Sequence, residues 1–237
     1  MRQSAGLGAM RQSDGGGVTL SADLWSANAD LAEAALRHPF VAGIGDGTLP
    51  RAAFAGYVAQ DAFFLESFAR AYAVGITHSP DRATFDVLAD LLAGVREELR
   101  LHDGYAARWG IDLAEIRPVP ATLAYTDFLM ATAFLGGVGL AAAAMTPCMR
   151  LYAHIGQSLS AERAGDYAEW VTTYADPAFD ELAGTLEELL DRVAEDVPAV
   201  RTAYRRAMQL EVGFFDAAWA VSRETPQGDG ANSRSSR

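Results

Sequence analysis

The feature that most constrains the fold is the placement of proline just before segments rich in alanine and leucine. Proline suits the first turn of an α-helix, because its ring fixes φ and its missing N–H needs no partner there. Runs in which β-branched residues alternate with polar ones, as strands require, do not recur along the sequence. The pattern predicts an all-α fold. The prolines are Pro50, Pro80, Pro120, Pro177 and Pro198.

The chain has 237 residues, which is close to the upper limit for one hydrophobic core, so a single domain is expected. We predict that this helical bundle spans residues 22–222. The glycine-rich residues 1–21 and the polar residues 223–237 are predicted to be a disordered leader and a disordered tail. The expected helices cover residues 22–37, 51–77, 81–108, 120–135, 137–159, 162–174, 178–195 and 199–222.

Two of these segments, residues 54–76 and 128–145, carry few charges on any face. A helix of this kind either lies at the centre of a bundle or packs against a partner subunit. The sequence pattern leaves both arrangements open.

Composition excludes several function classes. All 19 basic residues are arginine, and without lysine the chain cannot form a Schiff base or a P-loop. The net charge of −12 repels the phosphate backbone, so no nucleic-acid partner is expected. The sequence has no apolar run of about 18 residues, so no membrane association is expected either.

The single cysteine, Cys148, cannot form an intramolecular disulfide and favours a reducing, cytoplasmic location. Pro147 leaves the carbonyl of Ala143 without its helical donor, which predicts a bend or opening beside the thiol. Tyr152 lies one turn later on the same face. A lone cysteine is more often a small buried hydrophobic residue, so packing and chemistry both remain open from these residues alone.

Two acidic residues lie among aromatic residues on separate predicted helices. Asp61 shares its face with Phe64, and Glu211 precedes Phe214 by three residues. A carboxylate on an apolar face must be hydrogen-bonded or must await a ligand donor. Such faces suit a flat, nitrogen-rich ligand that stacks on rings while carboxylates bind its nitrogens. The alternatives to ligand binding are that Asp61 is paired with another residue of the protein and that Glu211 is exposed to solvent.

Glu98 and His102 form one helical i,i+4 pair that resembles part of a metal site. A di-iron carboxylate site needs several more acidic and histidine ligands, so the set is incomplete. We therefore expect no metal and assign His102 a structural hydrogen bond.

Several stretches occur in an order that resembles the thiaminase II family, also called TenA, in its cysteine-containing branch. The resemblance covers about residues 22–222 and implies a heme-oxygenase-like helical bundle that binds no heme. It also implies a homotetramer, which would cover the apolar helix faces. The stretches are HPFVAGIGDGTLPRAAFAGYVAQDAFFL (38–65), AYTDFL around Tyr125, TPCMRLYAHIG around Cys148, WVTTYADPAF (170–179) and AMQLEVGFFDAAW (207–219).

The resemblance implies hydrolysis of 4-amino-5-aminomethyl-2-methylpyrimidine to the hydroxymethylpyrimidine and ammonia, in thiamin salvage. Many members of the family also cleave thiamin. The implied chemistry requires no metal or organic cofactor, and its partner is the small-molecule substrate.

The resemblance also implies site residues. Cys148 matches the nucleophile, which adds to the pyrimidine ring so that the substituent on the exocyclic methylene can leave. Glu211 matches the acid that moves protons beside it, and Asp61 matches the carboxylate that binds the ring nitrogen and the 4-amino group. The matching pocket residues are Tyr125, Tyr152, Tyr174 and the stacking residue Phe214.

One position departs from the family pattern. Phe64 occupies a place where some members have tyrosine, which keeps the ring face but removes a hydroxyl. Two other functions remain open at this stage. One is an oxidase like the PQQ-synthesis protein or a heme-oxygenase-like di-iron enzyme, and the other is a non-catalytic, ligand-binding regulator.

Overall fold

The computed structural model describes residues 18–111, 113 and 116–224. Apart from residues 18–21, 223 and 224, the predicted leader and tail lie outside this part of the chain. The described residues form α-helices and one 3₁₀ turn, Gly165–Tyr167, without a strand. The helices are α1 (Leu20–Ala27), α2 (Ala29–Leu36), α3 (Pro39–Gly45), α4 (Arg51–Thr77), α5 (Arg82–Trp109), α6 (Pro120–Leu135), α7 (Gly137–Ser158), α8 (Ala168–Ala175), α9 (Pro177–Val193) and α10 (Pro198–Glu224).

The all-α prediction is confirmed, and the bounds predicted for α4 and α6 agree with the structure. Pro120 and Pro177 occupy the first turns of α6 and α9, as the sequence pattern predicted. Within the described residues, no helix is both long enough and apolar enough to cross a membrane.

The prediction of one helix over residues 22–37 is wrong, because α1 and α2 are separated at Asn28. The side-chain amide of Asn28 donates to the carbonyl of Leu24 over 2.8 Å. Its oxygen accepts a hydrogen bond from Arg205 over 3.1 Å. A short polar side chain that bonds the nearby backbone competes with helix propagation, and here α10 holds it in place.

Two further helices differ from the sequence prediction. The short α3 was not predicted, although Pro39 lies at its start and His38 accepts a hydrogen bond from the backbone of Phe40 over 3.1 Å. The helix predicted over residues 162–174 begins only at Ala168. Gly165, with φ of 56°, lies in the left-handed region and marks the turn before it.

The long helices pack around α4 and α7. α4 contacts α5, α6 and α10, whereas α7 contacts α8, α9 and α10. Gly156 allows α7 and α8 to approach closely, because a Cβ there would lie 2.6 Å from the backbone nitrogen of Ala175. This approach brings Tyr174 of α8 beside Tyr152 of α7, with ring centroids 4.9 Å apart.

Pro147 does not end α7, which continues as a helix from Gly137 to Ser158. The neighbouring hydroxyl of Thr146 donates to the carbonyl of Ala142 over 2.7 Å. Cys148 therefore projects from an uninterrupted helix, beside a proline whose missing N–H removes one backbone donor.

Candidate active site

Five helices surround a small cavity, which we call the inner cavity. Five of the residues predicted from the sequence to form the site line it. A larger, more open cleft of about 320 Å³, the outer cleft, adjoins it, and Glu98, Met149 and Phe179 line both. The residues that line the inner cavity are Asp61, Phe64, Leu65, Phe68, Glu98, Cys148, Met149, Tyr152, Tyr174 and Phe179.

Asp61 of α4 forms a buried ion pair with His102 of α5. The two side chains meet over 2.7 Å between Nε2 and Oδ2, and His102 Nδ1 donates to the carbonyl of Glu98 over 3.0 Å. Burial alone would lower the pKa of His102, but the hydrogen bond and charge of Asp61, with the charge of Glu98, raise it to about 9. The ring is therefore an imidazolium at neutral pH, and it compensates the charge of Asp61.

This arrangement leaves His102 no ring nitrogen for a metal, because both nitrogens are already hydrogen-bonded. The part of the chain that the structure describes also contains no group of three or more histidine, cysteine, aspartate or glutamate side chains placed to hold a metal ion. The geometry therefore does not favour a di-iron site.

Glu98 was not predicted as a site residue. It lies on α5 one turn before His102, and Tyr174 of α8 donates its hydroxyl hydrogen to Oε1 over 2.8 Å. Burial and the charge of Asp61 raise the pKa of Glu98, while the charge of His102 and the Tyr174 hydrogen bond oppose them, giving a value of about 7. Its i,i+4 spacing from His102 was the sequence signal, but the sequence did not show that both residues face Asp61.

Glu211 of α10 forms a second acidic centre, and its partners are neutral. The hydroxyl of Tyr125 donates to Oε1 over 2.7 Å, and the thiol of Cys148 lies near enough to the carboxylate to affect its pKa. Burial is the main cause that raises the pKa of Glu211 to about 7. The Tyr125 hydrogen bond and the Cys148 thiol lower it, while the charge of Asp61 raises it. A carboxyl group poised near neutrality can both accept and return a proton.

Cys148 is partly accessible and lines the inner cavity. Burial raises the pKa of its thiol well above the usual range, and the charges of Glu211, Glu98 and Asp61 raise it further. The resting group is therefore a thiol. A reaction of this sulfur as a nucleophile would require a base to take its proton, because its surroundings do not stabilise a thiolate.

Tyr152 lies at the end of a chain of buried donors. Trp170 Nε1 donates to the hydroxyl of Tyr57 over 3.4 Å, and Tyr57 donates to the hydroxyl of Tyr152 over 3.3 Å. These contacts orient the Tyr152 hydroxyl in the cavity wall. Trp170 could not be predicted as a supporting residue, because it lies 113 residues from Tyr57 in the sequence.

The two predicted stacking residues are placed differently. Phe64 lines the inner cavity, and its ring centroid lies 4.7 Å from that of Tyr125. Phe214 packs against Phe64, with centroids 6.0 Å apart, and borders a separate pocket beside Gln60 and Thr122. Phe214 and Tyr125 therefore support the ring of Phe64 in this structure.

Comparison with known proteins agrees with this architecture. The chain is 34% identical to an aminopyrimidine aminohydrolase of Halalkalibacterium halodurans, over 85% of this chain and 96% of that protein. It is 33% identical to one of Bacillus subtilis, over 77% and 81% of the two chains. It is also 36% identical to the thiamine biosynthesis multifunctional protein ThiED of Corynebacterium efficiens, where 82% of this chain matches 28% of that protein.

Solved structures agree with the fold. A protein of Silicibacter sp. TM1040, described as a TenA family transcription regulator, has a TM-score of 0.80 at 28% identity, over 85% of this chain and 97% of that one. A Shewanella denitrificans domain with a heme oxygenase-like fold has a TM-score of 0.70 at 15% identity, covering 88% and 95%. The profile of the TENA/THI-4/PQQC family matches residues 25–221, so the chain belongs to that family and has a heme-oxygenase-like fold.

Proposed function

We propose that the protein is an aminopyrimidine aminohydrolase, or thiaminase II, of thiamin salvage. Its substrate is 4-amino-5-aminomethyl-2-methylpyrimidine, and its products are the hydroxymethylpyrimidine and ammonia; thiamin is a second substrate. The observation that carries the proposal is the buried carboxylate of Glu211 beside the only cysteine thiol, at a cavity that Cys148 and Asp61 both line. The names of the relatives in Halalkalibacterium halodurans and Bacillus subtilis support it.

In the proposed reaction, Glu211 takes the proton of Cys148 and the sulfur then adds to the pyrimidine ring. The C–S bond displaces a π electron pair of the ring, and this pair expels the protonated amine from the exocyclic methylene as ammonia. Water adds to that methylene and loses a proton, after which the ring expels the thiolate and Glu211 returns its proton. Glu211 suits this role because its pKa of about 7 lets it exchange a proton near neutral pH.

Asp61 binds the ring nitrogen and the 4-amino group of the substrate in this proposal. A protonated ring nitrogen beside Asp61 withdraws electron density, which makes the ring a better acceptor for sulfur. His102 is a positioning residue, because its contact with Asp61 over 2.7 Å fixes the orientation of that carboxylate.

Aromatic residues complete the proposed site. Phe64 offers a ring face to the pyrimidine, and Tyr152 and Tyr174 line the same cavity. Tyr125 orients Glu211 through the hydrogen bond of 2.7 Å, and Phe214 supports the stacked ring from behind Phe64. The hydroxyl missing at Phe64 removes one hydrogen-bond donor from the site.

The decisive experiment measures ammonia release from the aminomethylpyrimidine by the wild type and by Cys148→Ser. The serine hydroxyl is a far weaker nucleophile, so turnover is expected to fall by about a thousandfold or more. Thermal unfolding of both proteins provides the control for folding. Undiminished turnover in the variant would show that Cys148 is not the nucleophile.

We also propose a homotetramer in the cytoplasm. Phe134 and Leu135, at the C-terminal end of α6, are 60% and 87% exposed, and subunit association would remove them from water. The reducing cytoplasm would keep the thiol of Cys148 available. Light scattering coupled to gel filtration tests the assembly, and a monomer would contradict it.

A further inference from the structure

The outer cleft extends the site beyond the inner cavity and has an acidic, apolar lining. Its volume of about 320 Å³ exceeds what an amine substituent fills, and no arginine lines it among the residues that the structure describes. Glu97 and Asp176 lie in its lining with Glu98, which it shares with the inner cavity. A cleft with acidic groups and apolar walls favours a ligand that combines positive charge with apolar surface.

Tyr72 of α4 also lines the outer cleft, and it carries an unused hydrogen-bonding group. The residue is fully buried, and its hydroxyl has no hydrogen-bond partner within the described part of the chain. Burial raises its pKa, and the charges of Cys148 and Glu98 raise it further, so both groups lie within electrostatic range. A buried hydroxyl left unpaired destabilises the folded protein, and a bound ligand that hydrogen-bonds it removes this cost.

We propose that Glu98 and Tyr72 form a subsite for the substituent that leaves the pyrimidine, and that this subsite selects cationic leaving groups. The inference rests on the proposed function, because it requires the pyrimidine to occupy the inner cavity. Glu98 lines both spaces and is the only residue with a charged side chain that they share. A substituent that extends from the inner cavity into the outer cleft would therefore lie near this carboxylate.

The chemistry of the step explains why a cation is preferred. A primary aliphatic amine is protonated at neutral pH, as the lysine side chain is, so the substrate arrives with a –CH2–NH3⁺ group. When the C–N bond breaks, its electron pair stays on nitrogen and neutral ammonia leaves. A thiazolium ring behaves in the same way, because it leaves as a neutral thiazole. The outer cleft has room for this larger group.

This loss of charge predicts how Glu98 affects the kinetics. Its carboxylate attracts the cationic substrate more strongly than the transition state, in which the positive charge is fading. Glu98 therefore lowers KM and slightly lowers kcat, because it stabilises the bound substrate more than the transition state. The hydrogen bond from Tyr174, over 2.8 Å, holds the carboxylate in place without neutralising it.

The test compares Glu98→Gln with the wild type on two cationic substrates and one neutral ligand. For the aminomethylpyrimidine and for thiamin, KM should rise about 10-fold or more, as expected for the loss of a charged hydrogen bond. The kcat should stay unchanged or rise slightly. The neutral hydroxymethylpyrimidine should bind with an unchanged Kd by calorimetry.

Tyr72→Phe provides a second variant, and Tyr204→Phe is its matched control. Tyr204 is also buried with an unpaired hydroxyl, but it lines neither the inner cavity nor the outer cleft. Tyr72→Phe should raise KM for both cationic substrates roughly 2- to 10-fold, whereas Tyr204→Phe should leave it unchanged.

Three results would overturn the inference. An unchanged KM in Glu98→Gln would show that the carboxylate does not bind the substituent. An equal loss of affinity for the charged and neutral ligands would show a structural role only. If the wild type neither binds nor turns over any of these pyrimidines, the proposed function fails and this inference fails with it.

Discussion

Asp61 and Glu211 are two carboxylates buried to the same degree, 4% and 2% exposed, but their partners differ in charge. Asp61 contacts His102, whose pKa is raised to about 9, whereas Glu211 contacts the neutral Tyr125 hydroxyl and Cys148 thiol. A carboxylate beside a fixed cation is suited to holding a ligand. One beside neutral donors, with a pKa of about 7, is suited to exchanging a proton. Burial alone does not determine which role an acid takes.

The strongest test of this difference exchanges each acid for its amide. Glu211→Gln cannot accept the thiol proton, so kcat should fall by about 100- to 10,000-fold. Asp61→Asn should instead act mainly on binding and raise the Kd of the hydroxymethylpyrimidine, measured by calorimetry. A large loss of product affinity in Glu211→Gln, with kcat preserved, would reverse the assignment.

The next test concerns stability. His102→Gln leaves the buried charge of Asp61 without its cation, so the free energy of unfolding should fall by about 3–5 kcal/mol. Tyr125→Phe removes a hydrogen bond from Glu211, which can become neutral by taking up a proton, so the loss should be about 1–3 kcal/mol. Urea denaturation at pH 7 measures both. Equal losses would mean that the two acids are held in the same way.

The pH dependence of kcat/KM provides a further test of the difference between Glu211 and Asp61. The proposed base must be ionised, so kcat/KM should rise with pH through the pKa of Glu211, which is about 7. The Tyr125 hydrogen bond lowers that pKa, so Tyr125→Phe should move the rise to higher pH. Glu98 also titrates near 7, and profiles recorded in a Glu98→Gln background isolate Glu211. A profile that Tyr125→Phe leaves in place would exclude Glu211 as the titrating base.

The free energy of unfolding should fall as the pH rises, because His102 then loses its proton. Its pKa is raised from 6.5 to about 9, so the folded protein binds more protons than the unfolded chain between these values. The stabilisation that protonated His102 gives the folded protein is complete below pH 6.5 and is lost as the pH rises toward 9. Urea denaturation across this range should show the loss in the wild type, and His102→Gln should lack it.

The smallest expected effect distinguishes the two phenylalanines. Phe64 lines the inner cavity and Phe214 lies behind it, so both alanine variants should raise KM, with Phe64→Ala giving the larger change. An aromatic contact contributes about 0.5–1.5 kcal/mol beyond burial, which predicts an increase of roughly 2- to 10-fold for Phe214→Ala. An unchanged KM in Phe214→Ala would remove that residue from the site.

The features that the sequence predicted best are those set by local interactions. The bounds of α4 and α6 follow from nearby prolines and helix-forming residues. The break at Asn28 could not be predicted, because it involves Arg205, 177 residues away. The helix pattern shows which face a residue occupies, but not which distant helix covers that face.

The same limit applies to the candidate site. Asp61 and Glu211 could be identified because aromatic residues lie beside them in the sequence. The role of Glu98 could not, because Tyr174 lies 76 residues away and Asp61 is on another helix. The position of Phe214 behind Phe64 likewise depends on how α4 and α10 pack.

Because Cys148 is the only cysteine of the chain and lines the inner cavity, alkylation has one possible thiol target. A small reagent such as iodoacetamide must enter the same space as the substrate, so a bound pyrimidine should block it. Because the pKa of the thiol is raised, little thiolate is present at neutral pH, and alkylation is slow enough to follow by manual sampling. The mass spectrum of the intact protein then gives the fraction of molecules that carry one carbamidomethyl group, which is the fraction whose site was empty.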